Sequence, residues 1–245
     1  MATKAILLDY IGTLVEPRKY TLDDSKLKLH KALCQAGLAT DKEEFMKAYA
    51  KAHEKYRLVR YKQLREVTNA VWVSDALNAV HCKVTVEDPR LKTGLNVFFQ
   101  DFIDSLELRP NAKKLIKTAH ERCKVGLVSN FTYAPVIYAS LRKLGIDRFF
   151  SAVVVSEAVG WRKPHRTIFD AALCSLHVAA DEAVFVGDSP LEDVDGAKAI
   201  GMRTVFVASC FNTLNDVKKC CMKPDMIFSD LAEICLELPQ IVGAV

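Results

Sequence analysis

Residues 4–15 read KAILLDYIGTLV, an apolar run of strand length that ends in a carboxylate and a Gly-Thr turn. Such a run predicts a buried strand with Asp9 at its carboxyl end. Parallel α/β sheets bind their ligands at this edge. The pattern alone is weak evidence, because an Asp before a turn also caps the element that follows. Asp9 becomes a candidate functional residue only if other strand ends also carry polar side chains.

Three later segments supply such side chains, and two of them directly follow an apolar run. The segments are KVGLVSN with Ser129 and Asn130, GWRKP with Lys163, and AVFVGDSPLED with Asp188 and Asp193. Because the carboxyl ends of parallel strands meet at one edge of a sheet, these side chains could converge with Asp9.

The order of the four clusters resembles that of the haloacid dehalogenase superfamily, whose motifs are a nucleophilic Asp, a Ser or Thr, a Lys and a pair of acids. The resemblance covers nearly the whole chain, including SEAVGWRKPHRTIF (156–169) and VGDSPLEDVDGAKAIGMRTVFV (186–207). It points to the branch that carries a helical cap between the first two motifs.

This resemblance implies a role for each motif residue. The catalytic residues would be Asp9 as nucleophile, Ser129 as a donor to phosphoryl oxygens and Lys163 as the charge that offsets repulsion. A Mg²⁺ site would use Asp9, the main-chain carbonyl of Ile11, Asp188 and Asp193. For Asp193, orientation of Lys163 or of a metal-bound water and simple helix capping are equal alternatives. Candidate substrate-binding residues are Thr13, through a bond back to the site loop, the amide of Asn130, Arg60 and Arg65.

Ile11 departs from the family pattern. Phosphatases of the superfamily carry a second Asp two residues after the nucleophile, and its dehalogenases carry an aromatic residue there. Ile11 cannot transfer a proton, and a general acid-base group contributes about 10²–10⁴ in rate. We therefore hypothesise a Mg²⁺-dependent phosphatase of a small organic phosphate that is slow on alkyl phosphates and faster on aryl or acyl phosphates.

Two other functions stay open. A 2-haloacid dehalogenase needs no general acid, but such enzymes generally lack an acid corresponding to Asp188 and place a Tyr where this chain has Phe169. A weakly active or inactive binding protein is the third possibility, since a fold does not fix a function. The nearest resemblance is to haloacid dehalogenase-like hydrolase domain-containing proteins in which a non-acidic residue follows the nucleophile.

Hydrophobic periodicity changes twice along the chain. It predicts an α/β core from residues 1–16 and 108–245, a Rossmann-like parallel sheet with helices on both faces. Residues 17–107 read as four helices, which begin near Asp23 or Asp24, Asp41, Glu66 and Asp88 and form an inserted cap. On the second helix, Arg60 and Arg65 could meet an anionic substrate, although a solvated helix face is the more common arrangement.

Composition limits the partners. The formal net charge is +4 and the basic residues are dispersed, which favours a small anionic, phosphorylated or carboxylated substrate over nucleic acid. The sequence has no apolar run of membrane-spanning length and no leader pattern. Its eight cysteines show no metal-site spacing, so we expect reduced thiols in a cytoplasmic monomer or homodimer, with a disulfide as the alternative.

Overall fold

The structure is a computed structural model that describes residues 3–243. The strands are β1 (Ala5–Leu8), β2 (Val15–Pro17), β3 (Leu106–Leu108), β4 (Lys124–Ser129), β5 (Ala152–Val155), β6 (Ala183–Gly187), β7 (Arg203–Val207) and β8 (Met226–Phe228). Six of them form a parallel sheet in the order β5-β4-β1-β6-β7-β8, and β2 pairs with β3. The predicted parallel α/β sheet is confirmed.

Helices connect and surround these strands. They are α1 (Leu22–Gln35), α2 (Lys42–Gln63), α3 (Asn69–Ala79), α4 (Pro89–Ser105), α5 (Ala112–His120), α6 (Ala134–Leu144), α7 (Ser156–Val159), α8 (Arg166–Leu176), α9 (Gly196–Ala199) and α10 (Leu231–Val242). Short 3₁₀ turns cover Asp147–Phe149, Ala180–Glu182 and Leu214–Lys219, and a π-helical turn covers Pro190–Asp195.

Strand β1 lies at the switch point of the sheet. Its neighbours are β4 on one side and β6 on the other, and Leu8 is in register with both Leu127 and Val186. The chain therefore adds strands outward from β1 in both directions. In sheets of this kind the crevice for a ligand opens at the carboxyl ends of the strands beside the switch. The register brings Asp9, at the end of β1, between the ends of β4 and β6.

The core packs on both faces of the sheet. On one face, Leu7 and Phe185 belong to a buried cluster with Ile168 and Phe169 of α8. Successive strand residues point to opposite faces, so Leu8 points to the other side. Helix α5 also packs against β4, and α10 packs against α5. This double burial explains why β1 is apolar at all four positions.

The contacts within the chain define two compact units. The core unit takes in the chain up to Glu16 and from Leu106 onward, and the helical unit is Pro17–Ser105. The domain boundaries predicted from the sequence, at 16/17 and 107/108, stay predictions, since compactness does not show that either part folds alone.

Four helices build the helical unit, as predicted. α1 packs against α4 and α2 against α3. A Cβ on Gly94 would lie 2.7 Å from Leu33 Cδ2, so glycine permits the close approach of α1 and α4. Asp41 caps α2 as expected, because its side chain accepts from the Glu44 amide.

Two predicted helix starts in this unit are wrong. The first helix begins after Thr21, so Asp23 and Asp24 lie in its first turn instead of at its cap. In the first turn, both carboxylates interact favourably with the positive end of the helix dipole. The third begins at Asn69 instead of Glu66, because the Glu66 carboxylate is bound by Arg60 Nε and the Val67 amide within a loop.

Within residues 3–243, no helix combines the length and the apolar character that a membrane span requires. All eight cysteines fall inside this range, and each is a free thiol.

Candidate active site

Asp9 follows the buried strand β1 directly, and its side chain is itself buried. The Asp9 amide donates to Val186 O (2.9 Å), which fixes the residue against β6. Its Oδ1 accepts from Lys163 Nζ at 2.7 Å. Its Oδ2 is buried and has no hydrogen-bond partner among the described residues. One oxygen is therefore held in place, and the other keeps its lone pairs for an electrophile or a cation.

Lys163 is a fully enclosed cation. Its side chain is 1% exposed, and Nζ lies 2.7 Å from Asp9 Oδ1 and 2.6 Å from Asp193 Oδ1. The third donor direction is taken by Val128 O at 3.0 Å. Burial lowers the pKa of Lys163, but Asp193 and Asp9 together raise it above its ordinary value. The ammonium therefore keeps its charge throughout the neutral range.

Asn130, at the end of β4, holds the Lys163 segment by its side chain. Its Oδ1 accepts from the Lys163 amide at 2.7 Å, and its Nδ2 donates to Lys163 O at 3.0 Å and to Glu192 Oε2 at 2.9 Å. The side chain thus positions Lys163, a role the sequence did not indicate. Ser129 lies just before it and is buried. Substrate binding by Ser129 and by the Asn130 amide stays a prediction.

Asp193 lies in the π-helical turn after β6 and is buried. Its Oδ2 accepts from the Ser189 amide at 2.9 Å, and its Oδ1 pairs with Lys163. Asp193 does not cap α9 at Gly196, where no side-chain cap bond is made. Its carboxylate instead accepts from the amide of Ser189, which is the N-cap of the π-helical turn. Orientation of Lys163 by Asp193 is compatible with this pairing and stays a prediction.

Asp188 accepts hydrogen bonds from three neutral side chains. Thr13 Oγ1 donates to Oδ1 at 3.2 Å, while Ser209 Oγ and Asn212 Nδ2 donate to Oδ2 at 2.6 and 3.2 Å. Gly12, with φ of +99°, lies so close that a Cβ on it would be 2.6 Å from Asp188 Oδ2. The turn that follows Asp9 and the end of β6 are therefore packed against each other.

The three carboxylates form a group suited to a cation. Asp9, Asp188 and Asp193 each offer an oxygen, and these atoms lie within 4.8 Å of one another. Among residues 3–243, the ammonium paired with them is that of Lys163, which binds Asp9 and Asp193. Burial raises the pKa of Asp9 and of Asp193 even though Lys163 lowers both. This uncompensated negative charge and the unpartnered Asp9 Oδ2 fit a hard divalent cation such as Mg²⁺.

Ile11 is half-buried and forms an isolated bridge with Val15 in the turn after Asp9. Its side chain offers no proton and no metal ligand, so no acid stands two residues after Asp9. Metal binding by its main-chain carbonyl stays a prediction.

Two predicted substrate ligands belong to the helical unit. The Arg60 side chain is 12% exposed and pairs with Glu66 at 2.7 Å, so it is not on a solvated helix face. Arg65 follows α2 in the chain. Contact of either arginine with a substrate stays a prediction.

Three residues of the site network were missed by the sequence analysis. Ser209 and Asn212 follow β7. They would have been indicated if polar residues after this strand had also been considered, as they were after β1, β4 and β6. Arg109, which follows β3, donates to Gly12 O (2.6 Å), Thr13 O (3.2 Å) and Ala208 O (2.6 Å). No local signal indicates this role, because its partners lie about a hundred residues away.

Known proteins share both sequence and fold with this chain. A glyceraldehyde 3-phosphate phosphatase of Methanopyrus kandleri is 30% identical over 213 residues, 82% of each chain. Haloacid dehalogenase-like hydrolase domain-containing protein 3 of Mus musculus is 30% identical over 207 residues, 82% of this chain and 80% of that one. The crystal structure of a 2-haloacid dehalogenase from Pseudomonas syringae pv. Tomato superposes with a TM-score of 0.66 at 19% identity, covering 98% of each chain, which shows a common fold.

Other matches are shorter. Those to the glyceraldehyde 3-phosphate phosphatases of Pyrococcus abyssi and Pyrococcus furiosus span 41% and 40% of these relatives. The family description that matches, haloacid dehalogenase-like hydrolase, covers residues 3–201. Together with the two relatives that align over four fifths of the chain, this match shows that the chain belongs to the haloacid dehalogenase-like hydrolase family.

Proposed function

We propose that the protein is a Mg²⁺-dependent phosphatase that cleaves a small organic phosphate through an aspartyl-phosphate on Asp9. The observation that carries the proposal is the state of the Asp9 carboxylate, with Oδ1 held by Lys163 and Oδ2 buried and unpartnered next to Asp188 and Asp193. The names of the relatives support the substrate class, since they specify phosphatases of glyceraldehyde 3-phosphate and of phosphoserine.

The covalent step follows from the chemistry of a held carboxylate. A lone pair of the Asp9 carboxylate attacks phosphorus, the bond between phosphorus and the ester oxygen breaks, and the leaving group departs with the electron pair. Lys163 offsets repulsion between the carboxylate and the phosphoryl oxygens, and Ser129 donates to one of those oxygens. Water then attacks the phosphorus of the aspartyl-phosphate, the bond between phosphorus and Asp9 breaks, and inorganic phosphate leaves as the carboxylate is restored.

The acidic group would hold the metal. Asp9 and Asp188 would bind Mg²⁺ with the Ile11 carbonyl, while Asp193 would keep Lys163 in place. When bound, Mg²⁺ supplies positive charge against the phosphoryl oxygens and the carboxylates.

Ile11 restricts the substrates. An alkyl leaving group departs as a strong base and needs a proton, and no side chain two residues after Asp9 supplies one. An aryl or acyl phosphate leaves as a stabilised anion without that proton. We therefore propose that the enzyme favours such leaving groups, by up to the factor of about 10²–10⁴ that a general acid contributes.

The test is hydrolysis of 4-nitrophenyl phosphate by the wild type and Asp9→Asn, each with and without Mg²⁺. We expect turnover only when both Asp9 and the metal are present. Asp181→Asn, at an exposed aspartate of the same unit, is the matched control and should retain the full rate. Turnover that survives Asp9→Asn would contradict the proposal.

Two further assays separate the other functions. Release of chloride from 2-chloropropionate without added Mg²⁺ would identify a dehalogenase instead. Mg²⁺-dependent binding of a phosphorylated compound with no turnover of any substrate would identify a binding protein.

A further inference from the structure

The segment 208–212 after β7 is a closed turn that faces Asp188. The Ser209 amide donates to Asn212 O at 2.7 Å, and the Ala208 amide donates to Phe228 O at 3.0 Å. Arg109 Nη2 binds Ala208 O from the other side at 2.6 Å. The turn is therefore fixed to β8 and, through Arg109, to the carbonyls of Gly12 and Thr13.

The hydrogen-bond direction at Ser209 is set by its surroundings. Its Oγ accepts from the amides of Phe211 (2.9 Å) and Asn212 (3.0 Å), which occupy both lone pairs of the hydroxyl. The one hydroxyl proton is left for Asp188 Oδ2 at 2.6 Å. Ser209 is thus an obligate donor to this carboxylate.

Asn212 adds a second donor to the same oxygen. Its Nδ2 donates to Asp188 Oδ2 at 3.2 Å, while Oδ1 of Asp188 receives one bond, also of 3.2 Å, from Thr13 among the described residues. Both donors are neutral, so they orient the carboxylate and leave its negative charge uncompensated. Groups that bind behind a metal-binding side chain in this way fix its rotamer and adjust its affinity for the metal.

We propose that Ser209 and Asn212 are positioning residues that hold Asp188 in the orientation for binding Mg²⁺ and thereby set the affinity of the site for the metal. This inference rests on the proposed function, since it takes Asp188 as a metal ligand. Nothing in the family motifs includes the 208–212 turn, which lies beyond the stretch 3–201 that matches the family.

The experiment is isothermal titration calorimetry of Mg²⁺ alone, without substrate, into the wild type, Ser209→Ala, Ser209→Thr and Asn212→Ala. Loss of an outer partner of a metal ligand typically weakens affinity about 10–100-fold. We expect a change of this size in Kd for Ser209→Ala, a smaller one for Asn212→Ala, and recovery for Ser209→Thr, which keeps the hydroxyl. Ser175→Ala is the matched control, because that exposed hydroxyl donates only to Ala171 O within a helix.

Thermal unfolding without metal separates positioning from general stabilisation. A purely structural role would lower Tm in the absence of Mg²⁺ and leave Kd unchanged, which overturns the inference. If Ser209→Ala does not fold, Asn212→Ala decides by the same readout, since it leaves the hydroxyl and its backbone bonds intact.

The two proposals fail in different ways. A wild type that binds no Mg²⁺ overturns the metal-dependent function and this inference with it. If the wild type binds Mg²⁺, and Ser209→Ala and Asn212→Ala both bind it with the same affinity as the wild type, this inference alone is overturned.

Discussion

The ammonium of Lys163 lies 2.7 Å from Oδ1 of Asp9, with both groups buried, although 154 residues separate them in the chain. Two opposed requirements meet in this pair. As the proposed nucleophile, Asp9 must keep a free lone pair, whereas as a buried carboxylate it must be compensated. The structure satisfies both by placing Lys163 on one oxygen only and by leaving Oδ2 unpartnered.

Removal of Lys163 should cost both stability and activity. Lys163→Met leaves Asp9 and Asp193 buried without their cation, and loss of one member of a buried pair costs about 3–5 kcal/mol of unfolding free energy. Turnover of 4-nitrophenyl phosphate should fall by about 10²–10³, as for other lost electrostatic donors. Urea unfolding and steady-state kinetics measure the two effects.

The control for this prediction is Lys198→Met. Lys198 pairs with Asp225 near the surface, where such a pair contributes about 0–1 kcal/mol. Equal losses of stability in the two variants would contradict the account of Lys163.

Gly12→Ala should disrupt the proposed metal site through Asp188. The new Cβ would lie 2.6 Å from Asp188 Oδ2, so the carboxylate must move. The residue also sits at φ of +99°, a backbone region that strains any L side chain. We expect at least a tenfold weaker Mg²⁺ affinity, of the size typical for a disturbed ligand.

Gly201→Ala separates strain from displacement. Gly201 has nearly the same φ, +91°, but a Cβ there would meet nothing within 4 Å. The Gly201→Ala variant should lose an amount of stability similar to that lost by Gly12→Ala through backbone strain. It should keep the affinity of the wild type for Mg²⁺. If both variants bind Mg²⁺ as the wild type does, the close approach of Gly12 to Asp188 has no functional effect.

Because the phenol of Tyr10 is buried, we expect the protein to lose stability at alkaline pH. Burial raises the pKa of this phenol from 10.0 to about 12, and the hydroxyl is bonded to Ser140 Oγ at 2.8 Å. Because the unfolded chain ionises first, this contribution to stability is complete below pH 10 and is lost as pH rises through about 12. Between pH 9 and 11 the loss should be about 1 kcal/mol.

Urea unfolding across this range measures the effect. Tyr10→Phe should show a shallower alkaline loss, whereas Tyr138→Phe, at an exposed tyrosine, should behave like the wild type. An identical pH dependence for Tyr10→Phe and the wild type would contradict the prediction.

The sequence predicted what depends on local pattern. Apolar runs that end in polar residues located β1, β4 and β6, and the register of the sheet then brings Asp9 and Asp188 to one edge. The change of period predicted the four helices α1–α4. These features follow from strand alternation, burial and connection rules, which act over a few residues at a time.

The remaining features depend on partners distant in the chain. Arg109 binds Ala208 O and Asn130 binds the Lys163 main chain, and nothing near either residue specifies those contacts. The start of α3 was misplaced for the same reason, because Glu66 is drawn into a loop by Arg60 from the preceding helix. Hydrogen bonds between residues that meet only in the folded chain cannot be predicted from the periodicity of the sequence.

Trapping of the intermediate tests the central claim most directly. If Asp9 is the nucleophile and Ile11 supplies neither acid nor base, attack on an aryl phosphate is fast and hydrolysis of the aspartyl-phosphate is slow. Rapid-quench mass spectrometry with 4-nitrophenyl phosphate and Mg²⁺ should then show one phosphoryl group on Asp9 and a burst of nitrophenolate. Ile11→Asp should abolish the accumulation and accelerate alkyl phosphates by about 10²–10⁴. Turnover with no phosphoryl group on Asp9 and no burst in the wild type would contradict the account.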